Sequence, residues 1–472
     1  MPEFPKTATA QNHQTYSIKF GDKNIKISSI TILIAIIVLA IVLRVFSAIY
    51  QGNTVTDLPG VYDQISYDGL ARRLIDGYGF SFAEGHWPAT RAGEPTAHWS
   101  YLYTIYLAVV YKIFGTSPLI ARIIQALIAG IFQSWLTYRI AKRIFGTLVG
   151  LLAAFINAVY IYFFYYAGSL ITETFYITCI LWIFDASFRI IDKKRISTEP
   201  DWKVNYLQWL ELGLAISLTV LLRQLFLLFL PFLFIWIWWN EPHHLENTRW
   251  KGRLHWPALR GLAISTGILA LMILPFAIRN YQAFDTFVLL NTNAGFAFFW
   301  GNHPIHGTSF MPLLPGGAQQ YYDLIPKELL PLNEAKLDKA LLSLGIQFVL
   351  DDPVRFILLS ISRIKEYIKF WPSSDSGLIS NISRVGSFGI TLPFILYGLW
   401  LEATRVWKSQ TSTERWSVVL LLCFALVYTS IHLISWTLIR YRLPVDAILL
   451  IFAALGISYL ADKFHSKLIK AK

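Results

Sequence analysis

The sequence predicts an all-α polytopic membrane protein with about 10 transmembrane helices, outer juxtamembrane helices and a small outer-loop domain. Of the 472 residues, 55% are hydrophobic and only 15% are charged. Apolar segments of about 20 residues, the length that crosses a hydrocarbon core, recur from Ile30 to Leu460. Many of the 17 tryptophans and 24 tyrosines lie at segment ends, where aromatic side chains anchor membrane helices.

Charge and cysteine content narrow the class of protein further. The net charge is +12, but Lys and Arg gather in the loops between apolar segments, where basic residues orient membrane helices. We therefore expect the lipid bilayer, and no nucleic acid, as the partner of this charge. The two cysteines, Cys179 and Cys423, lie inside apolar runs, so we interpret them as packing residues that form no disulfide framework or zinc motif.

The basic clusters order the chain across the membrane. Residues 1–28 are polar and basic, so the first span is predicted to run outward from the cytoplasm. The apolar stretch 99–114 is expected at the outer interface, because only one span separates the first outer loop from the basic cluster at Arg139. The predicted spans are 29–50, 119–139, 147–169, 174–190, two within 206–239, 259–278, 386–404, 417–434 and 443–461.

The long polar loop after the seventh predicted span is expected to fold as a small outer domain, because a structureless loop of about 100 residues is rare. Within it, 333–350 and 353–370 have amphipathic helical patterns, with Pro353 at a first helical position behind Asp352. The predicted parts are a cytoplasmic N-terminal segment (1–28), a transmembrane module (29–278) with an outer loop (51–118), a large extracytoplasmic loop (279–384), C-terminal transmembrane helices (385–461) and a cytoplasmic tail (462–472).

Several arginines depart from this charge rule. In the predicted topology they fall in outer turns, where membrane proteins generally avoid basic residues. Any one of them could reach outer-leaflet headgroups, but arginine in several outer turns favours a shared phosphate, whose oxygens match the guanidinium fork. These residues are Arg91, Arg223, Arg279, Arg440 and Arg442.

Acidic residues are predicted at the same membrane level as these arginines. Asp63 and Asp68 open the first outer loop, and Glu173 lies in the short turn after the third span. An ionisable group next to an apolar run is costly, which makes Glu173 a functional candidate, with an ion pair to an outer arginine as the alternative. Asp63 could instead cap a helix. Asp68 and Asp76 fit the solvated face of a short helix over 66–76.

A carboxylate beside a bound phosphate at a membrane face suits one reaction. The carboxylate takes a proton from an acceptor hydroxyl while a sugar leaves its lipid phosphate, and arginines stabilise the departing phosphate oxygens. Asp63 is the residue on which we expect this chemistry to depend.

Several motifs, in order, carry a resemblance to a known superfamily. They are Asp63-Gln64 with Tyr67 and Gly77, the run 117–146, the acidic turn 167–177, the loop start 279–304 and the basic turn 440–444. Across about residues 30–460 the chain resembles the GT-C type glycosyltransferases, in particular bacterial members related to protein O-mannosyltransferases and to the aminoarabinose transferase of lipid A.

The resemblance implies an inverting transfer from a polyprenyl-phosphate sugar to a hydroxyl acceptor, which could be a glycan, a lipid or a protein. Asp63 would be the general base, with Glu173 as a second catalytic residue. The residues assigned to substrate binding are Arg91, His98, Arg223, Arg279, His303, Arg440, Arg442, Tyr67 and Asp68. The implied location is a cell membrane (plasma or inner), with the active site on its extracytoplasmic face.

Two positions depart from the family pattern. Gln64 stands where relatives often have Glu, so the second acid of that pair is missing. Glu94, before Pro95, stands where aminoarabinose transferase relatives have a phosphate-binding Lys, and Arg91 or His98 could substitute for it.

Two other functions compete with this interpretation. A polysaccharide polymerase or ligase would also need a lipid phosphate, but it would use a lipid-diphosphate glycan. A lipid-linked sugar flippase or transporter would predict inverted repeats and charges near helix centres, whereas this sequence has no internal repeat and its charges gather at one face. No cofactor is required by the sequence; a divalent cation shared by Asp63 and Glu173 is left open.

Overall fold

The computed structural model describes residues 15–20, 23–56, 62–196, 202–240, 256–374 and 376–470. The described chain is overwhelmingly helical. A hairpin of two antiparallel strands, β1 (Thr15–Phe20) and β2 (Lys23–Ser28), precedes the first helix, with Thr15 opposite Ser28. The predicted cytoplasmic loop after residue 240 lies largely outside the described residues.

The first half of the chain supplies most of the tightly packed helix bundle. Its helices, in chain order, are α1 (Ser29–Gln51), α2 (Asp63–Ile75), α3 (Tyr101–Phe114), α4 (Pro118–Phe145), α5 (Thr147–Val159), α6 (Ile161–Ala167), α7 (Glu173–Ile196), α8 (Trp202–Leu222) and α9 (Leu230–Asn240). Helices α1 and α4 approach so closely that a Cβ at Gly130 would lie 2.8 Å from Ile41. Small residues permit such contacts between membrane helices.

The second half adds a long connection between two membrane-spanning helices and further spans. Its helices are α10 (Trp256–Phe284), α11 (Ala294–Asn302), α12 (Gly317–Asp323), α13 (Glu334–Asp351), α14 (Pro353–Tyr367), α15 (Leu378–Ser409, which includes two π-helical turns), α16 (Ser412–Ile434) and α17 (Leu443–Lys470). Short 3₁₀ turns at Gln224–Leu228 and Ile439–Arg442 lead into α9 and α17.

The polytopic helical architecture is confirmed, but the predicted count of about 10 spans is too high. Seven helices in the described ranges are long and apolar enough to cross a membrane, and eight if α5 and α6 form one broken span. The two spans predicted within 206–239 correspond to α8 and α9, which have only short apolar stretches. An 11-residue helix such as α9 is about 16 Å long, roughly half a hydrocarbon core.

The predicted single span 147–169 is bent by 53° at Tyr160. Tyr160 has an extended backbone, which ends α5 and starts α6 in a new direction. Its hydroxyl donates a hydrogen bond to Asp446 Oδ2 of α17 at 2.7 Å. The bend directs α6 to the turn that precedes Glu173.

A second, smaller core lies in the connection between α10 and α15. Its buried side chains are Phe296, Phe299, Trp300, Leu314, Tyr321, Ile325, Leu337 and Leu341. Trp87 of the first loop stacks on Trp300 with ring centroids 4.7 Å apart, which joins the two loops. Asp352 caps α14 and Pro353 takes its first position, as predicted.

Candidate active site

Asp63 is the first residue of α2, so its carboxylate lies where the positive end of the helix dipole favours an anion. Asp63 Oδ2 lies 2.7 Å from Arg440 Nη1. The Asp63 side chain keeps 24% of its surface exposed, whereas that of Arg440 keeps 7%. The structure therefore joins the first outer loop to the turn before α17 through one charge pair.

Glu173 is the first residue of α7 and its side chain is fully buried. Arg223 Nη2 donates a hydrogen bond to Glu173 Oε1 at 2.5 Å, and Arg223 Nε donates to Thr172 Oγ1 at 2.9 Å. Arg440 Nε lies 3.6 Å from the same Glu173 oxygen. Four of the predicted residues, Asp63, Glu173, Arg223 and Arg440, thus form one group, which we call the site cluster.

Aromatic side chains that the sequence analysis missed enclose the two arginines. The Arg223 guanidinium lies 5.7 Å from the ring centre of Tyr176 and 5.5 Å from that of Tyr441. Arg440 lies 5.3 Å from the Tyr441 ring. In the sequence Tyr441 lies between Arg440 and Arg442, two arginines predicted to bind substrate. This position could have identified Tyr441, because aromatic rings form cation–π contacts with nearby arginines.

Tyr67 and Asp68 lie on α2 next to Asp63 but have structural contacts. Tyr67 packs against Trp99 and Tyr103, with ring centroids 5.5 and 4.9 Å away. Burial and the nearby charge of Asp63 raise the pKa of Tyr67 above its ordinary value. Asp68 accepts hydrogen bonds from Arg72 Nε at 2.8 Å and from the Tyr111 hydroxyl at 2.6 Å.

His98 lies close enough to the site to feel its charge. Its Nδ1 is 3.2 Å from the carbonyl oxygen of Thr292, and its ring packs on Trp99 and Phe296. Burial lowers the pKa of His98, while the charges of Glu334 and Asp63 act in the opposite direction. His98 is therefore a half-buried imidazole held by Thr292 and two aromatic rings, within reach of the charge of Asp63.

Two other predicted arginines brace the loops. Arg279 donates to the carbonyl oxygens of Thr96 at 2.9 Å and Phe80 at 3.2 Å, which holds the first outer loop against α10. Arg91 is exposed, pairs with Glu94 at 3.2 Å and donates to the carbonyl oxygen of Leu330. Glu94 therefore takes up the arginine that was expected to replace a phosphate-binding lysine.

Arg442 and His303 also have partners of their own. Arg442 Nε donates to Asp446 Oδ1 at 2.8 Å, and both side chains are buried within the bundle. His303 accepts a hydrogen bond from the backbone N–H of Ile305 at 3.2 Å and packs against Phe299. The structure does not join either residue to the site cluster.

The hydrogen bonds of Gln64 explain why a glutamine, and no acidic residue, stands at this position. Its Oε1 accepts from Arg122 Nη2 at 3.2 Å, and its Nε2 donates to the carbonyl oxygen of Thr56 at 2.5 Å. Arg122, which is fully buried, also donates to the carbonyl oxygens of Gly52 and Thr54 at 2.5 and 3.0 Å. An ionised Glu at this position would be unable to donate to Thr56.

A buried arginine within the membrane supports the turn at Glu173. Arg44 is fully buried in α1, and its Nη2 donates to Gln133 Oε1 at 3.0 Å. Gln133 Nε2 then donates to the carbonyl oxygen of Thr174 at 2.9 Å. Arg44 thus contributes to the site through hydrogen bonds that hold the residue next to Glu173.

Two polar residues that the sequence analysis missed hold the loops around the site. Gln224, next to Arg223, exchanges two hydrogen bonds with the backbone of Asn291, each 3.0 Å long. Glu334 accepts from the backbone N–H of Ala97 at 2.8 Å and from the hydroxyls of Thr90 and Thr292 at 2.7 and 2.5 Å. The amphipathic helix pattern over 333–350 gave no sign that the Glu334 carboxylate is buried and accepts several hydrogen bonds.

The arrangement does not fit a metal ion shared by Asp63 and Glu173. The Arg440 guanidinium lies between the two carboxylates, and Arg223 takes the Glu173 oxygen that a metal would use. Within the described ranges, no group of three or more His, Cys, Asp or Glu residues is placed to hold a metal. We therefore assign the cationic role between these acids to arginine.

Comparison with known proteins gives a family model and a fold. Residues 100–278 match the family model described as dolichyl-phosphate-mannose-protein mannosyltransferase. A comparison with curated protein sequences gives no match.

Among solved structures, the oligosaccharyltransferase AglB from Archaeoglobus fulgidus, in complex with an inhibitory peptide and a dolichol-phosphate, matches with a TM-score of 0.56 and 17% identity. The match covers 94% of this chain and 52% of that chain, so this chain spans about half the length of AglB. The apo form of the same enzyme gives a TM-score of 0.56, 18% identity and coverage of 94% and 51%. ArnT from Cupriavidus metallidurans, bound to undecaprenyl phosphate, gives a TM-score of 0.40 and 12% identity, and the match covers 90% of this chain and 77% of that chain.

The family match lies across the helices that contribute Glu173 and Arg223, and the shared fold extends over almost the whole chain. This chain therefore has the fold of a polytopic membrane oligosaccharyltransferase over most of its length, and its residues 100–278 match the mannosyltransferase family model.

Proposed function

We propose that the protein transfers a sugar from a polyprenyl-phosphate donor to a hydroxyl acceptor, with inversion at the anomeric carbon and Asp63 as general base. One observation supports this most directly. A partly exposed carboxylate, Asp63, lies in contact with Nη1 of Arg440, a buried arginine whose Nε has no hydrogen-bond partner among the described residues. Such a donor suits the oxygens of a phosphate.

The proposed reaction has one proton transfer and one exchange of bonds at carbon. Asp63 takes the proton of the acceptor hydroxyl, and the acceptor oxygen forms a bond to the anomeric carbon. The bond between that carbon and the phosphate oxygen breaks, and its electron pair stays on the phosphate. Attack opposite to the leaving group inverts the configuration of the sugar.

Arg223 and Arg440 would stabilise the phosphate as its charge grows. Preorganised cations are most effective where water is excluded, and both side chains are largely buried. Glu173 holds Arg223 through a direct hydrogen bond, so its role in this proposal is to position the arginines. Tyr441 completes the enclosure by covering both guanidinium groups.

An apolar groove lined by the turn that follows Arg223 offers a path for the lipid tail. It has a volume of about 340 Å³ and lies between α10 and the turn that begins at Gln224, with Leu227, Leu269, Ile273 and Leu289 among its lining residues. The turn follows Arg223 directly, so a lipid in this groove would reach the site with its phosphate end. AglB, which shares the fold, is described in complex with a dolichol-phosphate.

We place the site on the extracytoplasmic face of a cell membrane. The basic residues that close α4, Lys142 and Arg143, lie at the end of that helix opposite to Arg122, which contacts the site loop. Basic residues prefer the cytoplasmic side, which puts the Asp63 end outside. The core around Trp300 would then be an outer unit that helps to bind the acceptor.

A comparison of two aspartates at the ends of α2 tests this function. Purified full-length protein is given a polyprenyl-phosphate sugar and hydroxyl acceptors, and product formation is followed by mass spectrometry. Asp63→Asn should lower turnover about 10²- to 10⁴-fold, the usual contribution of a general base. Asp76→Asn, which changes an exposed carboxylate at the other end of α2, should keep turnover within about threefold.

Near-normal turnover in Asp63→Asn would contradict the assignment of the base. Transfer only from a lipid-diphosphate donor, with none from a monophosphate, would contradict the proposed donor class.

A further inference from the structure

We propose that Arg440 holds Asp63 inactive until a donor binds, and that the donor phosphate takes over this arginine and releases the base. The inference rests on the proposed glycosyl transfer and adds an order of events to it. Donor binding would come first and would create the base that the acceptor needs.

The starting point is the position of Arg440 between two acids. Its Nη1 lies 2.7 Å from Asp63 Oδ2 and its Nε lies 3.6 Å from Glu173 Oε1. In the free enzyme the Asp63 carboxylate is therefore engaged by Arg440, and an acceptor hydroxyl has to compete with this arginine for the carboxylate oxygens.

The hydrogen bonds of Arg440 are nevertheless incomplete. Nη1 is engaged by Asp63, but the buried Nε has no hydrogen-bond partner among the described residues. Arg223 differs, because its Nε and Nη2 donate to Thr172 and Glu173. Buried donors without partners are costly, so Arg440 gains more from a new acceptor than Arg223 does.

The charges of the reaction explain why this arginine would move between partners. A donor phosphodiester carries one negative charge, and the departing phosphate carries up to two. Over the same step Asp63 accepts a proton and loses its charge. One negative charge thus passes from Asp63 to the phosphate, and Arg440 can follow it because it already contacts the first of these groups.

The total charge of the site stays constant on this path. In the free enzyme the two negative charges and the two positive charges of the site cluster cancel. A bound donor adds one negative charge, and the transfer leaves that sum unchanged, since protonation of Asp63 balances the new charge on the phosphate. No uncompensated charge has to develop in a buried site, which lowers the barrier.

A double-mutant cycle tests the exchange. The probe is a short-chain polyprenyl phosphate titrated into full-length protein in detergent, and the readout is its dissociation constant. Asp63→Asn should tighten binding about tenfold, because Arg440 no longer has to leave a charged partner. In an Arg440→Gln background the same change should alter binding less than about threefold, because only the repulsion between Asp63 and the phosphate remains. Asp76→Asn, which changes an exposed carboxylate at the other end of α2, serves as the control and should leave the dissociation constant unchanged.

The outcomes separate this inference from the proposed function. An equal effect of Asp63→Asn in both backgrounds, or weaker binding in Asp63→Asn, would overturn the exchange while leaving the glycosyl transfer intact. A folded wild-type protein that binds no polyprenyl phosphate and transfers no sugar would overturn both. If Arg440→Gln does not fold, as judged by its melting curve, Arg440→Met takes its place in the cycle, with the same two outcomes.

Discussion

Two groups of charges with the same composition lie at different depths of the helix bundle. The site cluster has two carboxylates and two arginines, and so does a second group, formed by Asp185, Glu211, Arg139 and Arg189, which we call the inner cluster. Both groups use α7, with Glu173 at its first residue and Asp185 twelve residues further along. This separation corresponds to about 18 Å along the helix axis.

The two groups differ in how completely their donors are used. In the inner cluster, Asp185 accepts from Arg139 Nε at 2.7 Å and from Arg189 Nε at 2.8 Å. Glu211 accepts two hydrogen bonds from Arg189, of 2.9 and 2.5 Å, and one from Trp182 at 2.7 Å. Among the described residues, no buried side-chain atom of this group lacks a partner, whereas Nε of Arg440 does.

The comparison teaches that ion pairs alone do not mark an active site. A satisfied group such as the inner cluster connects helices and has no capacity left for a ligand. The site cluster combines a buried donor without a partner, Arg440 Nε, with the partly exposed carboxylate of Asp63, and this combination is what we expect of a group that binds a further acceptor. Unequal use of donors is therefore the feature to test by mutation.

The largest effect is expected from arginines at matched positions in the two groups. Arg223→Gln removes a cation beside the departing phosphate and should lower turnover about 10²- to 10³-fold at saturating donor, as loss of one preorganised donor does. Arg139→Gln in the inner cluster should leave turnover per folded molecule within about threefold, since Asp185 keeps Arg189. Transfer rates from the polyprenyl-phosphate sugar measure both variants. Equal losses in the two would remove the functional distinction between the groups.

A smaller effect on stability is expected from Asp185→Asn. This carboxylate is buried and accepts from two arginines, so its loss should destabilise the protein by about 2–3 kcal/mol, the usual value of hydrogen bonds to charged groups. Partial exposure of both arginines limits the cost. The melting midpoint in detergent should fall while turnover per folded molecule stays near normal. A strong loss of turnover without a lower midpoint would give the inner cluster a direct role in catalysis.

The smallest effect concerns Asp338, a carboxylate outside both groups. It accepts from the backbone N–H groups of Gly295 and Phe296 at 2.8 and 3.2 Å, and burial raises the pKa of Asp338 to about 7. The folded state therefore binds a proton that the unfolded chain, with a pKa of about 3.9, has lost. Stability should fall by about 1–2 kcal/mol as pH rises from 5.5 to 7.5.

Melting curves across this pH range measure the effect of Asp338, and Asp338→Asn should flatten the dependence. A stability that rises with pH in the wild-type protein, with the same slope in Asp338→Asn, would assign the dependence to other groups.

Much of the site could be predicted because outer turns are few in a membrane protein. Asp63, Glu173, Arg223 and Arg440 were each identified from a charge in or beside such a turn, and the structure brings these four together. The same argument selected Arg279 and Arg442, which the structure directs to backbone carbonyl groups and to Asp446. Position along the membrane normal therefore identifies candidate site residues, but it does not separate those that join the site cluster from those that bind other partners.

The remaining features had weaker signals. The bend at Tyr160 has neither proline nor glycine at the break, so only the extended backbone of Tyr160 in the folded chain reveals it. From the sequence, Gln64 is a position where an expected acidic residue is missing. In the structure its side chain accepts a hydrogen bond from Arg122 and donates one to Thr56, which requires both an acceptor and a donor.

The sequence by itself determined the membrane class, the approximate positions of most spans and the level at which the charges of the site cluster lie. These properties follow from hydropathy and loop charge, which report position along the membrane normal. Only the tertiary structure decided which arginine meets which carboxylate, and which donors are left without partners. These depend on how each helix is rotated and packed against its neighbours, and side chains at one depth can point to opposite sides of the bundle.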